Sequence, residues 1–189
     1  MKKQEYYIYP GRFQPPHNDH IVAIVDALEK CGDPFFIGLI IGLIVSDNHN
    51  LSDDEHVTAF EKEARRQNSP ERTPFSFYQR LEFIERSLAK KLSKETLERL
   101  RIIPIPRPES AWSWICAAFP GNRNWIIPDC GEEFDEMKAR FFEGKNDNVI
   151  RIPQISTTDG RLVRELWERK DLNIEKHVPP EIVNALLED

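Results

Sequence analysis

Tyr6-Tyr7-Ile8-Tyr9-Pro10-Gly11-Arg12-Phe13-Gln14-Pro15-Pro16-His17-Asn18-Asp19-His20 is the stretch from which the rest of the chain can be read. Its first four residues are aromatic or β-branched, the composition of a strand, and Pro10-Gly11 ends that strand. A helical pattern follows within ten residues. Ile21, Ile24, Val25 and Leu28 recur at spacings of three and four between about Asp19 and Lys30, and Cys31-Gly32 closes the run. A short strand, a tight turn and an amphipathic helix form the opening unit of an alternating α/β chain.

The remainder keeps that alternation. Phe35–Val45 is apolar on both faces, as a central strand of a parallel sheet must be. Arg101–Ile105, Asn124–Ile127 and Asn148–Ile152 read as further strands. Helical stretches fall near 19–30, 76–92, 93–100, 111–119, 132–142, 158–168 and 179–187. The expected fold is α/β: a Rossmann-like, doubly wound, mostly parallel sheet flanked by helices, with a small helical extension over 168–189. Residues 1–189 read as a single domain, since ~100–200 residues is the usual size. The polar stretch 46–73 reads as an insertion holding one surface helix around 53–67, either a mobile solvated loop or a lid over a substrate.

In such a sheet, ligands bind beyond the carboxyl ends of the strands, so the loop after the first strand is the first candidate site. Gly11 permits a tight turn close to a ligand. His17 and His20 are three residues apart at a helix start and can face one side. Free backbone N–H groups and the positive end of the helix dipole favour an anion there, and Arg12 adds a forked cation suited to phosphate oxygens. The constellation fits phosphoryl or nucleotidyl transfer, in which the protein positions groups and neutralises charge developing on phosphate. Two other readings stay open: structural histidines, or a metal pair, although no third ligand for a zinc ion lies nearby. A second candidate is Ile155-Ser156-Thr157-Thr158-Asp159-Gly160-Arg161, which follows a strand and precedes a helix. Its hydroxyls, N–H groups and Arg161, with Arg164 three residues on, suit an anion. They also suit an ordinary Ser/Thr helix cap. Both segments follow strands, so they can meet at one edge of the sheet.

Composition narrows the function classes. Hydrophobic residues make up 40% and charged residues 31% of the 189, which argues against disorder. Asp plus Glu number 32 against 26 Lys plus Arg, a formal charge of −6, which disfavours indiscriminate binding to nucleic acid or anionic membrane. Basic residues around Arg86–Lys94 are interleaved with Glu, as on a solvated helix face. Neither G-x-x-x-x-G-K nor G-x-G-x-x-G occurs. Cys31, Cys116 and Cys130 lie far apart and form no C-x-x-C, which fits thiols in a reducing compartment. The longest apolar run is too short for a span of ~20 residues. A soluble, cytoplasmic protein is expected, with a homo-oligomer left open.

These segments resemble the nucleotidyltransferase superfamily, above all the archaeal-type nicotinamide mononucleotide adenylyltransferases and related cytidylyltransferase-like proteins. The family motif G-R-F-Q-P-x-H-x-G-H reads here as Gly11 to His20, I-S-x-T-x-x-R as Ile155 to Arg161, and N-P-F-T-x-x-E-R as Thr73-Pro74-Phe75-Ser76-Phe77-Tyr78-Gln79-Arg80. The resemblance implies a nucleoside triphosphate, carried with Mg²⁺, and a phosphate-bearing small-molecule acceptor. Pyrophosphate is released, most directly with ATP and nicotinamide mononucleotide giving NAD. It implies that His17 and His20 stabilise the α-phosphate region and that Arg12, Ser156, Thr158 and Arg161 hold the β- and γ-phosphates. Gly11, Phe13, Gln14 and Thr157 belong to the same nucleotide site by the motif match, and no resident metal ligand is implied. Trp114, with Trp112 beside it, matches a ring-stacking tryptophan of the family. Core packing is the alternative, because Ile115 and Phe119 continue an apolar stripe. Asp19 stands where the motif has glycine, and Gln79 where it has glutamate. Two alternatives to the NAD-forming reaction are cytidylyl transfer from CTP to a phosphorylated or phosphonate metabolite, and a catalytically weak nucleotide sensor.

Overall fold

Five strands are present: β1 (Glu5–Gly11), β2 (Leu39–Ile44), β3 (Leu100–Ile105), β4 (Asn122–Asp129) and β5 (Asn148–Pro153). They pair in the order β3-β2-β1-β4-β5, and every pairing is parallel. The structure, a computed structural model, describes residues 4–30, 39–45, 58–67, 69–129, 131–153, 158 and 160–188. Residues 35–38 of the expected second strand, 46–57 and Asn68 of the expected insertion, Ser156, Thr157, Cys31 and Cys130 lie outside the described residues.

Side chains alternate between two cores along each strand, as a two-residue period requires. Tyr9, Ile41 and Ile126 face one side, where α1 (Asn18–Lys30) and α3 (Phe77–Ala89) bury Ile21, Ile24, Leu28, Ile84 and Leu88. Ile8, Trp125 and Ile127 face the other, under α5 (Trp112–Ala118) and α6 (Glu133–Gly144), with Ile115, Phe119 and Phe142. Helices on both faces explain why the central strands carry few polar residues. This is the doubly wound, Rossmann-like architecture expected from the sequence.

Boundaries shift by a few residues for local reasons. The helix expected over 93–100 is α4 (Lys94–Glu98); the Leu39 N–H donates to the Arg99 carbonyl at 3.1 Å, and Leu100 pairs with Leu39 as the start of β3. α3 begins at a capping box: the Gln79 N–H donates to Ser76 Oγ at 3.3 Å and the Ser76 N–H to Gln79 Oε1 at 2.9 Å. Glutamine serves this reciprocal cap as glutamate would. The described part of 46–73 is largely helical. α2 (Ala59–Gln67) starts at a Thr58/Glu61 box, with the Thr58 N–H donating to Glu61 Oε2 at 2.7 Å, and a 3-10 turn follows at Pro70–Arg72. Phe60 of α2 stacks on Phe134 of α6 with ring centroids 5.8 Å apart.

The chain ends in α7 (Gly160–Glu168), a 3-10 turn (Leu172–Lys176) and α8 (Pro180–Glu188). Val163, Ile174, Val178, Ile182 and Leu186 form a third core with Phe75 and Phe83. This extension also reaches the start of α1, where the Asn18 N–H donates to the His177 carbonyl at 2.9 Å.

Arg80 ties the loops together. Its buried guanidinium donates from Nη1 to the carbonyls of Arg12 at 2.7 Å and Ile44 at 3.0 Å, and from Nε to that of Ser76 at 3.2 Å. Burial lowers its pKa to about 10, so it remains a cation at neutral pH. Arg80→Met keeps the stem and strands three interior carbonyls. Urea unfolding should show a loss of about 3 kcal/mol; a change below about 0.5 kcal/mol, the usual range for a surface substitution, would contradict this role.

Candidate functional site

The order of strands reverses between β1 and β4, whose outgoing helices α1 and α6 lie on opposite faces of the sheet. A crevice must open beyond the carboxyl ends of two such strands. A cleft of about 380 Å³ lies there, lined by Gly11 at the end of β1 and Pro128 near the end of β4. Arg12, Phe13, Gln14, His17, His20, Thr158 and Arg161 line it as well. Thr158, Gly160 and Arg161, the described residues of the late turn, therefore share one cavity with the early turn. Thr158 lies against α1, where its N–H donates to Asp19 Oδ2 at 2.9 Å.

The early turn is held from beneath. The Phe13 ring packs edge-on against Tyr9 at 5.7 Å and tilts against His20 at 4.9 Å, while the Phe13 backbone takes a left-handed φ of 51°. Such a conformation persists only where its surroundings enforce it. A Cβ on Gly11 would run into the Phe13 ring, so glycine is required there. Gln14, placed by the motif match in the nucleotide site, uses its side chain structurally: it donates to the Phe75 carbonyl and accepts the Phe75 N–H, both at 2.9 Å.

His17 and His20 stack at 3.7 Å between ring centroids. The His17 N–H donates to His20 Nδ1 at 3.3 Å. That nitrogen is thereby an acceptor, which puts the proton of a neutral His20 on Nε2. Burial, followed by the neighbouring His17, Arg12 and Lys138, holds His20 well below the ordinary histidine range. It enters the site as a neutral N–H donor. The expected open N–H groups at the start of α1 are already in use at His17 and Asn18, because His20 and the C-terminal extension accept them.

Cations line the same cleft as the histidines. The Arg12 guanidinium donates from Nη1 to the Gln67 carbonyl and from Nη2 to Gln67 Oε1 at 2.9 Å; Arg72 Nη1 donates to that same Oε1 at 3.2 Å. Arg164 donates to the Gln14 carbonyl at 3.0 Å. Burial first, then Arg164 and Arg72, lowers the Arg12 pKa to about 10. Arg161 is exposed and pairs with Glu165 at 3.0 Å, at the mouth. A Cβ built on Gly160 would sit 3.9 Å from His17 Nε2, which sets the imidazole against the first turn of α7. Glu132 and Glu63 offset part of this charge at Arg12, and the excess of guanidiniums in the cleft suits a polyanion.

No known family profile matches the chain. Among curated proteins, it is 30% identical over 182 residues to a phosphonoformate cytidylyltransferase of Streptomyces viridochromogenes, covering 94% of this chain and 88% of that one. It is 25% identical over 177 residues to a nicotinamide-nucleotide adenylyltransferase of Pyrobaculum aerophilum, covering 93% and 83%, and 24% identical over 181 residues to that of Pyrobaculum arsenaticum, covering 95% and 85%. The chain belongs to the nucleotidyltransferase superfamily.

Several residues that line this cleft could not be picked out from the sequence. Arg72 lies in the 3-10 turn after α2, and Gln67 and Phe60 lie on α2 itself. No local pattern distinguishes them from surface residues, because only the packing of α2 on α6 brings them to the cleft. Glu109, in the loop after β3, also lines the cleft with its side chain 5% exposed. The tryptophans lie elsewhere. Trp112 packs among Trp125, Phe141 and Phe142, and Trp114 is 44% exposed with its ring edge-on to Phe119; neither lines the cleft. Core packing, the alternative weighed for this pair, describes Trp112. Among the described residues, no group of three or more His, Cys, Asp or Glu side chains could hold a metal ion, and no helix is long and apolar enough to cross a membrane.

The depressed His20 pKa has a sign that unfolding can read. Below about pH 6.5 the unfolded chain takes up a proton at this residue that the folded chain refuses, so stability falls as pH drops, by up to about 1.4 kcal/mol per unit. His20→Gln should flatten that slope between pH 6.5 and 5.5 in urea titrations. Equal slopes in variant and wild type would contradict a neutral, buried His20.

Proposed function

We propose that the protein transfers a nucleoside monophosphate from a Mg²⁺-bound nucleoside triphosphate to a phosphate-bearing small molecule, most directly from ATP to nicotinamide mononucleotide to give NAD. The single observation that carries this reading is the shared cleft: a stacked imidazole pair and several guanidiniums line one cavity at the switch point of the sheet. Two turns distant in sequence contribute to it, as a site for one extended polyphosphate requires.

The chemistry needs no strong base. A phosphate monoester oxygen is already an anion at neutral pH. It attacks the α-phosphorus, the new P–O bond forms, and the bond to the bridging oxygen breaks, with its electron pair leaving on pyrophosphate. Charge grows on the non-bridging α-oxygens and on the leaving oxygen. A neutral Nε2–H on His20 suits the first, because it donates a hydrogen bond without having to shed a proton. Arg12, Arg72 and Arg164 suit the second, since fixed cations stabilise the departing charge with little reorganisation; Arg161, exposed and paired with Glu165, adds its charge at the mouth. Mg²⁺ arrives on the triphosphate oxygens and neutralises part of their charge.

A second reading, cytidylyl transfer from CTP to a phosphorylated or phosphonate metabolite, is favoured by the 30% identity to the phosphonoformate enzyme. Thermal shifts with MgATP and MgCTP separate the two: stabilisation by CTP with ATP inert would remove the NAD-forming reading. Incubation with MgATP and nicotinamide mononucleotide should release pyrophosphate and form NAD in equal amounts. No pyrophosphate with either triphosphate and its acceptor would overturn nucleotidyl transfer.

Arg72 provides an independent check, because nothing in its local sequence points to phosphate. Arg72→Ala should weaken binding of the Mg²⁺-triphosphate about tenfold by calorimetry. Arg72→Lys should recover part of the loss, because it keeps the charge and gives up the fork. Unchanged affinity in Arg72→Ala would remove this residue from the phosphate site.

A further inference from the structure

In the cleft, the chain supplies its own acceptor to the arginines. Gln67 ends α2, and its carbonyl lies where a helix has no intrahelical donor left. The helix dipole adds partial negative charge at that end. Arg12 meets it as a cap: Nη1 donates to the Gln67 carbonyl and Nη2 to Gln67 Oε1 at 2.9 Å. Arg72 Nη1 donates to the same Oε1 at 3.2 Å. Gln67 Nε2 donates in turn to Glu63 Oε1 at 2.6 Å, which fixes the amide with its oxygen toward the guanidiniums. One glutamine thus presents two oxygens to two guanidiniums, as a phosphate group would. Arg12, Gln67 and Arg72 all line the cleft and are half-buried, so a ligand in it reaches them. α2 packs through few apolar groups. Ala64 is buried, and Phe60 packs on Phe134 and Phe141 with ring centroids 5.8 and 5.1 Å apart. Glu61, Lys62, Glu63, Arg65 and Arg66 are charged. A helix of nine residues is marginal on its own, so the contacts at its ends matter.

We infer that Gln67 is a built-in competitor for the polyphosphate: it occupies Arg12 and Arg72 in the free protein, and a triphosphate binds by taking both guanidiniums from it, which leaves the end of α2 uncapped and loosens the helix. The inference rests on the nucleotidyl-transfer reading above and names how that site is regulated. The reasoning is one of exchange. The amide and carbonyl oxygens of Gln67 are neutral acceptors. Phosphate oxygens are anions, and their bonds to a guanidinium are the stronger. A triphosphate has oxygens enough for both arginines at once, so it replaces both sets of bonds that it breaks. Coupling of this kind is reciprocal: if the triphosphate loosens α2, then weakening the grip of Gln67 tightens the triphosphate. A residue that touched the ligand, or that held the arginines in position for it, would show the opposite sign on removal.

Calorimetry on the full chain reads that sign with MgATP, MgCTP and Mg²⁺-tripolyphosphate, the last having no nucleoside. Gln67→Met keeps the length of the side chain and removes Oε1. It should bind each probe that the wild type binds about fivefold more tightly, and by the same factor, because the base takes no part. Gln67→Glu puts a carboxylate on the same guanidiniums and should weaken each about tenfold or more. Hydrogen exchange on the wild type needs no variant: saturation with the tightest-binding of these probes should speed exchange of the α2 amides. Weaker or equal binding by Gln67→Met, unchanged or tighter binding by Gln67→Glu, slower or unchanged exchange in α2, or no binding of any probe by wild type and Gln67→Met alike would each overturn the inference. Absent pyrophosphate release with these effects intact would count against the transfer reaction alone. Release with an unaltered affinity in Gln67→Met would count against the competitor alone.

Discussion

Two neighbouring strands whose outgoing connections run to opposite faces of a parallel sheet leave their carboxyl ends uncovered, and every feature of this cleft follows from that constraint. β1 sends α1 to one face and β4 sends α6 to the other, so neither loop can shield the gap between them. Other segments border it: α2 and its 3-10 turn, the loop after β3, and the first turn of α7. The cations gathered there come from different segments, Arg12 after β1, Arg72 after α2 and Arg164 on α7. At a separation of about 4 Å, unit like charges repel by about 4 kcal/mol at an effective dielectric of 20. Folding tolerates such a gathering because the Gln67 oxygens and the Gln14 carbonyl accept from it and because Glu132 and Glu63 offset part of its charge. A ligand that replaces those acceptors with phosphate oxygens converts the repulsion into binding energy.

The sheet was legible because burial on both faces forces its strands to be apolar, and the helices between them bear an unambiguous period. The histidine pair and Arg12 could be read because they sit on a turn whose position relative to the sheet is fixed by topology. Arg72, Gln67 and Glu109 could not. They come from segments whose direction is set by tertiary contacts, the stacking of Phe60 on Phe134 and the anchoring of the early loop by Arg80. Trp112 shows the converse case. The resemblance put a ring-stacking role on Trp114 with Trp112 beside it, but Trp125 and Phe142 make a core on the same face into which Trp112 packs.

Asp19 is the residue whose place in the motif and whose place in the structure differ most. A carboxylate directed at a triphosphate would repel it. Here the helix turns Asp19 away from the cleft, where it accepts the Thr158 N–H, and it is absent from the cleft wall. A glycine at this position would leave the Thr158 N–H without that acceptor. The same bond takes the Thr158 N–H out of the set expected to meet phosphate. The late turn thus gains a tether to α1 and loses a donor, which leaves more of the anion's charge to the guanidiniums.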